Sequence, residues 1–268
     1  MRCPPDPELS IVVPVRDERA TLESLHQRLR AVLATVGRDF EIIFVDDASR
    51  DGSAEVLTAL ADADPHVRLV RLRARGGKAA ALRAGFERTR GAVVVTLDAD
   101  LQDDPAELPR FLAAIDAGAD LVSGWKRVRH DGPLRVATSR TFNWLVARVF
   151  ATGLHDVNCG YKAYRRAVLA ALPLYGGMYR FIVVFARAQG ARVAEIEIRH
   201  APRRHGSSKY GPGRLPGAAL DLLAVVGLLR HADRPGHLLM RLAAARRAAA
   251  PLPASDEYRA PRRHVRHG

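Results

Sequence analysis

The run Leu97-Asp98-Ala99-Asp100-Leu101-Gln102-Asp103-Asp104-Pro105 follows directly on the apolar segment Ala92-Val93-Val94-Val95-Thr96. A β-branched stretch of this kind predicts a buried strand, which sets Asp98 and Asp100 at its carboxyl end, two residues apart and on the same side. Carboxylates held that close repel each other and resist desolvation unless a cation lies between them. One reading is a divalent-cation site; the other is a solvated acidic loop that opens a helix at Asp103-Asp104-Pro105.

The elements around this run favour a ligand. Residues 9–13, 40–45, 67–72 and 92–96 read as strands, with Pro14 ending the first. Leu22, Leu25, Leu29, Val32 and Val36 recur at helical spacing up to Gly37, and Val56, Leu57, Leu60, Leu82 and Phe86 mark two further helices. Alternating strands and helices predict an α/β fold with a mostly parallel sheet covered on both faces, whose ligands bind beyond the carboxyl ends of the strands. Polar residues gather at successive exits: Asp17 and Glu18, Asp46 and Asp47, Arg75 and Lys78, then Asp98 and Asp100. Neither a dinucleotide G-x-G-x-x-G after the first strand nor a G-x-x-x-x-G-K-[ST] loop is present. Gly76-Gly77-Lys78 alone is equally well a tight turn before a helix.

Beyond Asp104 the pattern changes. A helix carrying Leu108, Phe111, Leu112 and Ile115 leads to a strand over 120–124 and the basic stretch Trp125-Lys126-Arg127-Val128-Arg129-His130. Arg135, Ser139 and Asn143 share one side of the next predicted helix. His155-Asp156-Val157-Asn158-Cys159-Gly160-Tyr161-Lys162 reads as a polar turn before another helix, with too few soft ligands for zinc. A second basic loop, residues 200–211, follows a strand over 192–198. Its Arg203 and Lys209 alternate with small hydrogen-bonding residues, as a phosphate seat requires, but it has no aromatic ladder for nucleic acid.

A chain of 268 residues can hold one full α/β core with an appendage, and its net charge of +13 points to an anionic partner. The two cysteines, Cys3 and Cys159, offer no disulfide framework, which suits a reducing compartment. No basic start followed by an apolar stretch suggests a signal peptide. The apolar run at 218–229 contains Asp221 and falls short of the roughly 20 residues a membrane span needs, although it could lie in a headgroup zone beside Arg214, Arg230 and Arg234. From Arg246 the chain turns Ala, Pro and Arg rich and reads as a disordered basic tail able to meet anionic lipid.

These motifs, in this order, carry a resemblance. From about Ser10 to Tyr210 the chain resembles the polyprenol-phosphate sugar synthases, the dolichol-phosphate mannose synthase-like group of family 2 glycosyltransferases. The motifs are Pro14-Val15-Arg16-Asp17-Glu18, Asp46-Asp47-Ala48-Ser49-Arg50-Asp51-Gly52, Gly76-Gly77-Lys78, the acidic run, the turn from Asp156 to Lys162, and the loop from His200 to Tyr210. Arg75 departs from the family's usual Asn, and Tyr179 from a His that commonly precedes the Arg at 180. The resemblance implies a GT-A fold over residues 8–212, amphipathic and membrane-associated helices over 213–245, and the tail over 246–268. It implies that Pro14, Val15, Asp17, Glu18 and Asp47 hold the base and ribose of a nucleotide sugar, with Lys78 and Asp98 at the same site. Asp98, Asp100 and Gln102 would hold Mg2+ or Mn2+; Lys126, Arg135, Ser139, Arg203 and Lys209 would receive the phosphates; Asp156 would lie near the reacting sugar. Asp100, Asp156, Arg135, Ser139 and Lys209 are thus the expected catalytic set.

The expected activity is inverting transfer of a hexose from a nucleotide diphosphate sugar to a polyprenyl monophosphate. The enzyme would be cytoplasmic and peripherally associated with the anionic inner face of the plasma membrane, with no nucleic-acid partner. A lipid phosphate, whose second pKa is near 6, is already ionised at neutral pH and demands no strong base. The alternatives are a soluble hydroxyl acceptor, with Asp156 as base, and a non-catalytic nucleic-acid binder suggested by the charge.

Overall fold

The computed structural model describes residues 6–130, 132–170, 172–202, 215–230 and 255–259. Strands β1 (Leu9–Val15), β2 (Phe40–Asp46), β3 (Val67–Leu72) and β4 (Val93–Thr96) are parallel, with β1 between β2 and β4 and with β3 outside β2. Helices α1 (Arg19–Val36), α2 (Ser53–Ala63) and α3 (Gly77–Phe86) make the crossovers. Side chains alternate along each strand, so Ile11 and Val13 join the core under α1 and α2, while Val12 joins the core under α3 on the other face. Gly37 ends α1 in the left-handed conformation at φ 69°.

Pro14 does not stop β1. It pairs in register with Val45, and β4 ends opposite Val12, so on that side no ladder bond is lost to the missing proline N–H.

The second half departs from a purely parallel plan. Helix α4 (Leu108–Asp116) leads to β5 (Leu121–Trp125), and helix α5 (Pro133–Phe150) runs toward the turn that carries Asp156. A helix was expected after that turn; instead β6 (Lys162–Arg165) inserts antiparallel between β4 and β5, and only then comes the short α6 (Arg166–Leu169). Four residues show no readable period, but Ala163 and Tyr164 are fully or nearly buried on opposite faces, and the central position pairs the strand on both edges. Helix α7 (Ile182–Ala188) and β7 (Val193–Glu197), parallel to β5, complete that side. The sheet therefore mixes parallel and antiparallel pairs.

Helix α8 (Leu215–Arg230) buries Leu222 and Val225 against the core and leaves Leu220 and Leu223 exposed. Within the tail expected to be disordered, β8 (Ser255–Arg259) lies antiparallel on β3, with Glu257 opposite Arg71 in register. The physical reason is the open edge of β3, whose unpaired backbone groups offer a ladder to any extended segment.

Candidate active site

The exits of β1, β2 and β4, together with the start of α3, surround a cleft of 490 Å³. Pro14, Val15, Glu18, Asp47, Lys78, Asp98 and Asp100, all expected on the donor side, line it. The loops are laced to one another. Asp17 N–H donates to Ser49 Oγ at 3.0 Å, Arg50 N–H to Asp17 Oδ1 at 2.7 Å, and Glu18 N–H to Ser53 Oγ at 3.0 Å. Arg16 donates to the carbonyls of Asp47 and Ala48. Asp17, Ala48 and Leu101 all have positive φ, so three loops at this end of the sheet hold a conformation that L residues avoid.

Asp47 is 5% exposed and accepts the N–H groups of Gly76 (2.6 Å) and Gly77 (3.0 Å) at the start of α3. Burial lifts its carboxyl above the usual range, more strongly than those bonds and the nearby Arg16 and Arg75 lower it. Lys78 Nζ donates to Asp98 Oδ1 at 2.6 Å. Burial opposes the Asp98 charge, but Lys78, Lys126 and Lys162 together outweigh it and hold the carboxyl below its usual range.

The residues expected to hold a cation divide. Asp98 and Asp100 both face the cleft, whereas Gln102 is 5% exposed, donates its side-chain amide to Ala201 O at 3.3 Å and does not reach the lining. No group of three or more acidic, histidine or cysteine side chains forms a cation cage among the described residues. Magnesium commonly takes one or two carboxylates and completes its shell with water and substrate phosphates. Asp98 and Asp100 fit that donor set; Gln102 does not.

A second polar group lies beyond Asp98. Asp98 packs against Gly160, where a Cβ would come 2.6 Å from Asp98 Oδ2, so a bare residue there lets the turn at 155–161 approach. That turn carries Asp156, 1% exposed, whose Oδ2 lies 2.7 Å from Arg129 Nη2 and whose Oδ1 accepts from Asn143 at 2.9 Å. Ser139 Oγ accepts from the same guanidinium at 2.9 Å. Glu195 fixes the turn by accepting the N–H groups of His155 and Asp156 at 2.9 and 2.8 Å.

Lys126 is turned inward rather than toward the cleft lining and lies 2.7 Å from Asp103, which is fully buried. Asp103 is therefore not the helix opener expected of it. Asp104 alone caps the turn at Pro105–Glu107, accepting Ala106 N–H at 3.1 Å. Burial raises the Asp103 carboxyl, aided by repulsion from Asp98, and the Lys126 ammonium is in turn stabilised against its own burial chiefly by Asp103. The side chain of Arg135, and Arg203 and Lys209 entirely, lie outside the described residues.

Sequence reasoning missed Arg129 as the partner of Asp156, and missed Tyr179, Arg180 and Asp221, which line the cleft. Position in the basic stretch gave no sign of which cation would meet Asp156. For Arg180, the only sign was its place in a family motif.

Residues 10–172 match the family described as Glycosyl transferase family 2. The chain belongs to that family. Among its relatives is the undecaprenyl-phosphate 4-deoxy-4-formamido-L-arabinose transferase of Pseudomonas aeruginosa, 41% identical over 216 residues that cover 80% of this chain and 64% of that one. The dodecaprenyl-phosphate galacturonate synthase of Rhizobium johnstonii is 35% identical over 241 residues, covering 86% and 70%. The chain thus spans about 64% of the length of the first of these family 2 members. Among solved structures, glucosyl-3-phosphoglycerate synthase from Mycobacterium tuberculosis, in complex with uridine diphosphate, matches with a TM-score of 0.61 and 22% identity, covering 86% of this chain and 80% of that one. That likeness shows the fold, which is GT-A-like: a mixed, mostly parallel sheet flanked by helices.

Proposed function

We propose that this family 2 protein transfers a glycosyl group from a nucleoside diphosphate sugar to a polyprenyl monophosphate. The observation that carries the donor half is the pairing, in one cleft at the strand exits, of the carboxylates Asp98 and Asp100 with the cations Arg75, Lys78 and Arg180. Relatives named for undecaprenyl- and dodecaprenyl-phosphate products supply the acceptor half. Pro14, Val15, Glu18 and Asp47 border the base and ribose side, Asp17 braces them from outside the lining through Arg16 and the Arg50 N–H, and Lys78 and Arg75 take the diphosphate. Asp98 and Asp100 would hold a divalent cation, and one bound there would offset charge on the departing diphosphate; a synthase of the same fold has been solved in complex with Mn2+ and uridine-diphosphate-glucose.

The chain's own work is to hold two anionic substrates together. Arg129 stands between Asp156 and Ser139 and is the described cation nearest the side assigned to the acceptor, while Lys126 serves behind it by neutralising buried Asp103. The ionised lipid phosphate attacks the anomeric carbon directly, which inverts its configuration in one displacement. A soluble hydroxyl acceptor is disfavoured because the base it needs, Asp156, is buried with both oxygens engaged.

A membrane-surface site suits such an acceptor. No helix among the described residues is long and apolar enough to cross a membrane. Helix α5 exposes Trp144 (65%), Leu145 and Val149, and α8 exposes Leu220 and Leu223, so apolar surface is available for a peripheral contact.

The acceptor assignment is tested by incubating the protein with a panel of nucleoside diphosphate sugars, Mn2+ and either a polyprenyl phosphate or its dephosphorylated alcohol. Nucleoside diphosphate release that requires the lipid phosphate is the expected result. Equal release with the alcohol would overturn it.

A further inference from the structure

Besides Lys78–Asp98, the cleft holds a second cation–anion pair, whose cation the donor reading counts without giving it a role and whose anion it leaves unused. Arg180 Nη1 lies 3.1 Å from Asp221 Oδ2, and both residues line the cleft. The Tyr179 ring is shared by two cations, with Lys78 Nζ 5.8 Å from its centroid and Arg180 Cζ 5.1 Å away. Arg180 is thereby held on the same ring as the lysine assigned to the diphosphate. A Cβ on Gly177 would come 1.7 Å from Asp221 Oδ2 and 2.6 Å from Arg180 Nη1, so the pair is seated directly on glycine backbone. Asp221 is carried by α8, which is otherwise anchored through Leu222 and Val225.

We propose that Arg180 is a diphosphate-binding residue and that Asp221 holds its place, so that an arriving nucleoside diphosphate displaces Asp221 and loosens α8 from the cleft. The inference rests on the donor reading above. A guanidinium bonds a phosphate in a bidentate fork and with more charge than a single carboxylate brings. Asp221 left in place beside a diphosphate would be repelled by it. Because coupling between two bound states is reciprocal, whatever Asp221 costs the donor, the donor returns as a weaker hold on α8.

The test is calorimetric titration of uridine and guanosine diphosphates, with Mn2+, into the wild-type protein, Asp221→Asn, Asp221→Ser, Arg180→Ala and the Arg180→Ala/Asp221→Asn pair. Both Asp221 variants should bind whichever diphosphate the wild type prefers roughly 5- to 20-fold more tightly. Arg180→Ala should weaken binding about tenfold, and in its presence Asp221→Asn should add little. The nucleosides without phosphate should bind all variants alike, which a merely structural role for Asp221 would not produce. Hydrogen exchange of residues 215–230 should quicken when the wild type is loaded. Unchanged or weaker diphosphate binding by folded Asp221 variants overturns the inference while leaving the donor site standing. A wild type that binds neither diphosphate overturns the donor reading and this inference with it.

Discussion

Asp156 has its charge balanced chiefly by one guanidinium, that of Arg129, in a place where 1% of the residue meets solvent. Removing one partner of a buried pair leaves the other charge uncompensated, which costs about 3 kcal/mol. Arg129→Met should therefore lower the unfolding free energy by roughly that amount in urea titration, whereas Ser139→Ala, which removes a single acceptor, should cost about 1 kcal/mol. At this scale the sequence was legible where polar residues follow a strand run or open the next helix: Asp47, Asp98 and Asp100 after strands and Lys78 at the start of α3 all line the cleft. Asp103 and Lys126 were not, because nothing local to either residue announces burial. Their partnership depends on β5 delivering Lys126 to the space behind the acidic loop, where Asp103 also bridges to His200.

Helix α3 shows how an element sets the site. Its Gly85 faces β1 and β2, where an added Cβ would meet Val12 Cγ1 at 2.4 Å and Val45 Cγ2 at 3.1 Å. Alanine in a helix gains up to about 1 kcal/mol over glycine, but overpacking a core costs about 1–3 kcal/mol, so the clash decides the sign. Gly85→Ala should destabilise the protein by about 1 kcal/mol. Gly227→Ala on α8, where a Cβ meets nothing within 4 Å, should stabilise it by about 0.5–1 kcal/mol in the same denaturation measurement.

At the opposite end of the sheet Glu41, 2% exposed on β2, accepts from Ser10 Oγ at 2.7 Å and Arg90 N–H at 2.8 Å and pairs with Arg68. Burial pushes its carboxyl up, but Ser10, Arg90 and Arg68 together draw it below its usual range. A depressed carboxylate contributes stability that is complete above its unfolded pKa, about 4.3, and is lost as pH falls through the lower folded value. Wild-type stability should thus fall more steeply than that of Glu41→Gln below about pH 4.5 in chemical denaturation. Residue pattern made α1, α2, β2 and β3 readable, since each is long enough to show one, and Gly37 marks where α1 stops. It could not reveal β6, whose four residues become a strand only because two neighbours pair it from both sides.

Over the whole molecule, the net charge of +13 has two uses that the fold separates. Arg68 and Lys126 are spent on buried carboxylates, while Arg75, Lys78 and Arg180 border the cleft. Cations gathered beside a carboxylate pair suit a metal-bridged diphosphate better than a duplex backbone, which would want them spread over an open face. If this cleft is the donor site and Asp98 and Asp100 are its cation ligands, turnover depends on both the cation and these carboxylates. The decisive measurement is formation of glycosylated polyprenyl phosphate by the wild type and by Asp100→Ala, with Mn2+ present and after chelation. Product from the wild type should disappear on chelation and fall at least about 100-fold in folded Asp100→Ala. Undiminished turnover by Asp100→Ala, or by the chelated wild type, would rule out Asp98 and Asp100 as the cation site.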